Sequence, residues 1–243
     1  MIEKTEGIVI RTKKYGDTSK IVTIFTRRFG LCSFIAKGAR QVKSKFGGAL
    51  ELLSVCEISF YKKPHTSLYL LSSADIQHPM RKLYTSSEHL EVGLFIAESL
   101  LQTQDEGAIH HELFDFIQTC VLHLDELPSN PFAEFVSYNF FLADEMGFGM
   151  DFASADEISG DNKKFFSIHD GIFVDLPPQT YAKENIFVLS KQAFDFLKSV
   201  TKSDITNRLD LSLNKQIKKE ILDFFTSYFT FHLEKRIFYK GLD

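Results

Sequence analysis

Tryptophan is absent from this chain, cysteine occurs three times in 243 residues, and no Lys or Arg falls between Leu83 and Asn162. Each absence excludes something. Cys32, Cys56 and Cys120 are odd in number and widely separated, and no pair has metal-ligand spacing, which argues against a disulfide framework or a cysteine-rich metal finger. The opening MIEKTEG has no basic segment leading into an apolar run. No later stretch approaches the roughly 18 uninterrupted apolar residues of a membrane span, so we expect a cytoplasmic protein with no membrane partner. Without Trp, the 25 Phe residues are left to pack the interior, and a hydrophobic content of 44% supports a sizeable core rather than a disordered or collagen-like chain.

The cations missing from the middle are concentrated at the start. Residues 1–83 hold 15 Lys and Arg against 6 Asp and Glu, a net +9, whereas residues 84–243 hold 13 against 26, a net −13. The overall −4 conceals two parts of opposite sign, and charge alone places a boundary near Lys82.

Period and turn signals divide the chain at the same place. GIVIRT (7–12), KIVTIFT (20–26), LCSFIAK (31–37), LLSVCEISFY (52–61) and SLYLLSS (67–73) are short β-rich runs, separated by turn signals at Tyr15-Gly16-Asp17, Phe29-Gly30 and Lys63-Pro64. Cys56, Ile58 and Phe60 alternate with Glu57, Ser59 and Tyr61, the period of a half-buried strand. Five such strands in about 80 residues predict a small barrel of the oligonucleotide-binding (OB) kind. After Pro79 the period lengthens. Leu90, Leu94, Ala97 and Leu101 predict one amphipathic helix, and Ile109, Leu113, Phe116, Cys120 and Leu124 a second. Residues 132–146 predict a third, ended by Gly147 and Gly149. The polar stretch 151–178 is irregular, with a hairpin predicted across FFSIHDGIFVDL (165–176) turning at His169-Asp170-Gly171. Ser190 reads as the N-cap of a short helix through Val200, and residues 213–235 as a last long helix. The expected fold is therefore α+β: a five-stranded OB-fold barrel over 1–82, then a mostly α-helical domain over 83–243 with the irregular insert 151–178.

Motifs for catalysis are near misses. Gly38-Ala39-Arg40-Gln41-Val42-Lys43-Ser44 ends like a phosphate loop, but Val42 stands where the backbone needs Gly to close around phosphate. His111-Glu112-Leu113-Phe114-Asp115 would need His at its fifth position to set two imidazoles on one helical face. No nucleophile elbow, Cys–His pairing motif or dinucleotide fingerprint occurs. We expect no enzyme, no cofactor and no metal.

Nucleic acid fits better. The stretch FIAKGARQVKSKFGGAL (34–50) places Lys37, Arg40, Lys43 and Lys45 on a Gly-containing loop without an acidic residue. Lys13, Lys14 and Lys20, with Arg27 and Arg28, lie at the turns bracketing the first two strands. Tyr15, Phe46, Tyr61 and Tyr69 could offer faces to bases, and Tyr15 and Phe46 sit in loop contexts that favour exposure.

The residues that carry this reading also carry a resemblance. Glu6-Gly7-Ile8-Val9-Ile10-Arg11, Tyr15-Gly16-Asp17, the run 20–26, Phe29-Gly30, Ala36-Lys37-Gly38-Ala39-Arg40, Lys43-Ser44-Lys45 and Gly47-Gly48-Ala49-Leu50 closely resemble, in order and spacing, the opening of the bacterial RecO family of recombination and repair mediators. The match is specific over about 80 residues; beyond it the likeness rests on helical character, the 147–152 turn and length. The resemblance implies a non-catalytic protein that binds single- and double-stranded DNA, anneals complementary strands, pairs with RecR and helps load RecA onto DNA coated by single-strand-binding protein. DNA contacts carried over residue by residue fall on Lys37, Arg40, Lys43 and Lys45, with Lys13, Lys14 and Lys20 added by proximity and Arg27 and Arg28 ranked last. Two departures stand out. Many members carry four zinc-binding cysteines in the region of 151–178, whereas no Cys follows Cys120 here, which implies a metal-free, zinc-finger-like segment packed by Phe152, Phe165, Phe166 and Phe173. Some members take the acidic tail of single-strand-binding protein in a basic, apolar pocket of the helical domain, whereas here residues 84–162 lack Lys and Arg, which leaves that charge to Lys215, Lys218, Lys219, Lys235 or Arg236 near the last helix. An RNA-binding barrel with a regulatory helical domain, and an interaction scaffold that binds no DNA, are the alternatives, because one barrel serves many tasks.

Overall fold

The computed structural model describes residues 1–126, 130–157, 163–175, 185–202 and 213–234. Part of the irregular insert (158–162 and 176–178) and the cations Lys235 and Arg236 lie outside the described residues. The chain forms two compact units, Met1–Leu127 and Pro128–Asp243.

In the first unit, β1 (Ile2–Tyr15), β2 (Ser19–Thr26), β3 (Gly30–Ala36), β4 (Val55–Tyr61) and β5 (Leu68–His78) close into a barrel in the order β1-β2-β3-β5-β4. The β3–β5 pair is parallel and the other ladders are antiparallel. This is the five-stranded OB-fold barrel expected of the opening residues. Alternation decides what turns inward: Val22, Ile24, Phe34, Ile58 and Phe60 are buried in one cluster, where Phe60 sets its ring edge-on to Phe34 at 5.0 Å. Strand β1 is longer than its apolar run because its polar start is held by main-chain pairing. Ile2 to Ile8 run against Tyr61 to Val55 of β4, while Gly7 to Tyr15 run against β2. A ladder of backbone bonds needs no apolar side chains, so hydropathy does not report it.

A short 3-10 turn (Leu83–Thr85), α1 (Ser87–Thr103) and α2 (His111–Asp125) complete this unit, so the charge step near Lys82 falls inside it. The connection between the helices lies on the β2–β3 turn: Gly107 N–H donates to Leu31 O at 3.0 Å. Gly30 is what permits the approach, since its φ is +62° and a Cβ there would meet the Ala108 carbonyl oxygen at 1.9 Å. Phe25 of the barrel and Phe114 of α2 have centroids 5.9 Å apart. Buried Asp125 accepts the N–H groups of Lys82 and Leu83, both at 2.8 Å, which ties the end of α2 to the chain leaving the barrel. The face predicted for α1 is corrected. Val92, Gly93, Ile96, Ala97 and Leu100 are buried, while Leu94 is 41% exposed. Gly93 is invisible to a hydrophobic count, yet a Cβ there would reach Leu53 Cδ1 at 2.4 Å, so close packing at a glycine turned the helix.

In the second unit, α3 (Pro131–Glu145) starts at Asn130, whose side chain accepts from Ala133 N–H at 3.2 Å. The expected hairpin is present as β6 (Lys163–Ser167) and β7 (Ile172–Val174), turning at 168–171. Its sheet has a third strand that hydrophobic reading did not assign, β8 (Ile186–Ser190), giving the order β7-β6-β8. Five residues have too little period to separate strand from helix, and pairing with β6 decides it. Ser190 then caps α4 (Lys191–Lys202), accepting from Ala193 N–H at 3.3 Å, and donates its hydroxyl to Glu220 of α5 (Lys215–Leu233) at 2.9 Å. Phe152, Phe166 and Phe173 are buried, with Phe173 5.0 Å from both others; Phe165 is half-buried. Among the described residues, no group of three or more His, Cys, Asp or Glu could hold a metal ion, and no helix is long and apolar enough to cross a membrane.

Candidate nucleic-acid interface

Strand register carries Lys13 and Lys14 of β1, Lys20 of β2 and Lys37, the residue after β3, to one end of the barrel. Lys14 stands directly opposite Lys20, and Lys20 opposite Ala36, the residue before Lys37. Like charges set opposite each other on neighbouring strands are unfavourable, so this end gains from any anion laid across it. Lys20 Nζ donates to Glu51 Oε1 at 3.1 Å, and Glu51 is the sole carboxylate of residues 18–56. Across 13–20 and 37–51, Glu51 and Asp17 stand against seven cations.

The long β3–β4 connection is a succession of tight turns rather than a loose loop. Gln41 N–H donates to Gly38 O at 3.1 Å, Ser44 N–H to Gln41 O at 3.0 Å, and Ala49 N–H to Phe46 O at 3.0 Å. Gly38 (φ +72°) supplies the left-handed residue where the chain leaves β3. Phe46 corrects the expectation of an exposed ring: it is 2% exposed and belongs to the barrel core with Ala49 and Leu50. A Phe between a Lys and two glycines looks like loop surface, but its ring fills the barrel mouth, and Lys45 Nζ lies 5.1 Å above it. The same lysine donates to Ser72 O of β5. Arg40 ties the loop to the β1–β2 tip, donating its N–H to Thr18 O at 2.8 Å and Nη1 to Gly16 O at 3.1 Å.

All seven candidate positions therefore gather at this end, in two sets. Lys20, Arg40 and Lys45 hold the loop on the barrel; Lys13, Lys14, Lys37 and Lys43 are exposed, and their side chains make no ion pair or hydrogen bond with a described residue. Arg27 and Arg28 lie at the other end of β2 and are occupied. Arg27 Nη2 donates to Asp115 Oδ2 at 2.9 Å, and Arg28 Nη1 to Lys4 O at 2.8 Å, with Glu3 beside it at 3.7 Å. From Lys13 the outer sheet face continues through Ile21, Ile35 and Leu70 in one register row, all partly exposed. Tyr69 points the other way and packs on Phe60 at 5.3 Å.

The structure shows where the two sequence near misses fall. The Gly38 to Ser44 turns lead into β4 and not into a helix whose N-terminus could face a phosphate, and Asp115 is paired with Arg27. Burial pushes the Cys32 thiol up to about 11 and the Cys56 thiol up to about 12, so both stay protonated at neutral pH and neither is a nucleophile.

Comparison with known proteins agrees with barrel and helices alike. Residues 1–80 match the family model for the recombination protein O N terminal domain, and residues 86–238 that for its C terminal domain. A curated DNA repair protein RecO of Chloroherpeton thalassium is 29% identical over 246 residues, which cover 96% of this chain and 94% of that protein. One from Thermoanaerobacter sp. is 25% identical over 235 residues, 95% of this chain and 92% of that protein. A third, from Rhodopirellula baltica, is 41% identical over 119 residues, but the match spans only 49% of this chain and 44% of that protein. With two family models matched in succession along nearly its whole length, this chain belongs to the recombination protein O (RecO) family.

Proposed function

We propose that this protein acts in DNA repair as a non-catalytic, cytoplasmic recombination mediator that binds single- and double-stranded DNA through the basic end of its barrel and anneals complementary strands. The observation that carries the reading is the gathering of Lys13, Lys14, Lys37 and Lys43 at one barrel end, exposed and without a carboxylate partner among the described residues, beside three further cations that hold the loop in place. Each phosphate neutralised there releases condensed counterions, which drives binding and lets two strands approach without mutual repulsion. The acidic span 83–162 disfavours DNA on its own surface, which leaves DNA to the basic end and the helical part to protein partners. RecR and, through it, RecA loading on strands coated by single-strand-binding protein fit that division of labour. Lys215, Lys218 and Lys219 at the start of α5 are the described cations placed to meet an acidic tail.

The test is binding and annealing over a salt series, for wild type and for Lys13, Lys14, Lys37 and Lys43 all changed to Ala. Loss of four phosphate contacts flattens the slope of log affinity against log salt by about 2.8 on single strands, at roughly 0.7 per phosphate, and annealing falls with it. An unchanged slope and unchanged annealing would refute the assignment and favour an interaction scaffold; tighter binding of a matched RNA strand would favour the RNA reading.

A further inference from the structure

Two apolar side chains stand in water among these cations. Val42 is fully exposed (105%), and Tyr15 is 50% exposed. Scattered exposed apolar residues need no explanation, but the segments that carry these two are tied together by a hydrogen bond. Tyr15 ends β1, and the next residue, Gly16, accepts a hydrogen bond from the Arg40 guanidinium. Val42 follows Arg40 by two residues, within about 7 Å of chain, and Lys43 follows Val42. Turn chemistry does not account for Val42 either. It occupies the second position of the turn closed by Ser44 N–H on Gln41 O, where a β-branched apolar side chain gains nothing from the backbone or from the core.

The surrounding charge states what kind of partner. Lys13, Lys14, Lys37 and Lys43 demand an anion, while Asp17, exposed next to the Tyr15 side of the tip, disfavours a phosphate at the tip itself. A polyanion that presents phosphates on one side and flat apolar surfaces on the other satisfies both conditions, and that describes a nucleic-acid strand with unpaired bases. In a closed duplex those surfaces are stacked on one another and unavailable.

We infer that Tyr15 and Val42 form a base-contacting pair: the Tyr15 ring stacks on one unpaired base, and Val42 packs as an apolar wedge against its neighbour, while Lys43 holds an adjoining phosphate and Arg40 keeps the two segments together. This rests on the nucleic-acid reading above and adds what that reading leaves open, that the basic end takes single strands by their bases as well as by their charge.

The experiment compares full-length wild type with the Tyr15→Ser/Val42→Ser double variant on three probes: an oligothymidylate, a strand of equal length made of abasic deoxyribose phosphate, and a blunt duplex. Wild type is expected to bind oligothymidylate more tightly than the abasic strand. The variant loses roughly 5- to 150-fold on oligothymidylate, binds the two single strands alike, and keeps the wild-type salt slope and duplex affinity. Tyr15→Phe, which keeps the ring, retains the wild-type preference. The inference is overturned if the variant matches wild type on oligothymidylate, or if its loss extends equally to the abasic strand and the duplex. Failure of wild type to bind any of the three probes would instead overturn the nucleic-acid reading, and this inference with it.

Discussion

Glu51 holds the side chain of Lys20 at the edge of the basic end, in competition with any phosphate that arrives there. Its removal should therefore strengthen binding. Glu51→Gln is expected to raise single-strand affinity and to steepen the salt slope by about 0.7, the share of one phosphate, as measured by fluorescence anisotropy over a salt series. A slope that stays put would mean that Lys20 lies off the path of the strand. At the opposite extreme of burial, Tyr228 of α5 donates its hydroxyl to Phe148 O at 2.8 Å, and burial pushes its pKa up to about 12. Tyr228→Phe leaves a part-buried carbonyl without that donor, so urea unfolding should show a loss of about 1 kcal/mol.

At the scale of elements, two packing arrangements make separate predictions. The first is the seat of α1, where burial holds the His89 imidazole below its ordinary value despite the nearby Glu88 carboxylate. The folded state binds that proton less well than the unfolded chain does. Stability from this site is complete above the ordinary histidine value, falls as pH drops through about 6.5, and levels off once the folded imidazole is itself protonated. Unfolding of wild type compared between about pH 8 and about pH 5 should show a decline that His89→Gln reduces; an equal decline in both would place the titration elsewhere. The second is the sheet β7-β6-β8, where Phe166 meets Phe173 and Phe224 edge-on at 5.0 and 5.1 Å. We expect aromatic packing, without a metal, to hold this module. Phe166→Ala should cost about 3–5 kcal/mol, while exhaustive chelation should leave the melting temperature unchanged.

The whole molecule divides after α2 rather than at the end of the barrel. Gly30 against Ala108, Phe25 against Phe114, and Asp125 on the N–H groups of Lys82 and Leu83 are all lost if the chain is cut near residue 82. A fragment of residues 1–127 should therefore unfold cooperatively and retain DNA binding, whereas residues 1–82 should melt earlier and expose apolar surface. Equal melting of the two fragments would show that the barrel needs neither helix.

Local pattern was enough for much of this. Five strands follow from alternation and turn residues, the helices from a lengthened period, the helix start at Ser190 from its hydroxyl, and the basic end from a charge count, because each of these is governed by neighbours within a few residues along the chain. What lay beyond reach depends on residues distant in sequence. Phe46 is core because the closed barrel offers it a mouth to fill, and α1 turns Gly93 inward because Leu53 waits there. Strand β8 exists because β6 pairs with it, and Arg27 is occupied because Asp115, 88 residues away, reaches it. Composition determined that this protein carries a positive barrel and an acidic remainder. Only the tertiary structure decided which lysines stand free and which hold the loop, since a hydrogen bond to a carbonyl across the barrel depends on proximity in space, which one-dimensional spacing does not encode.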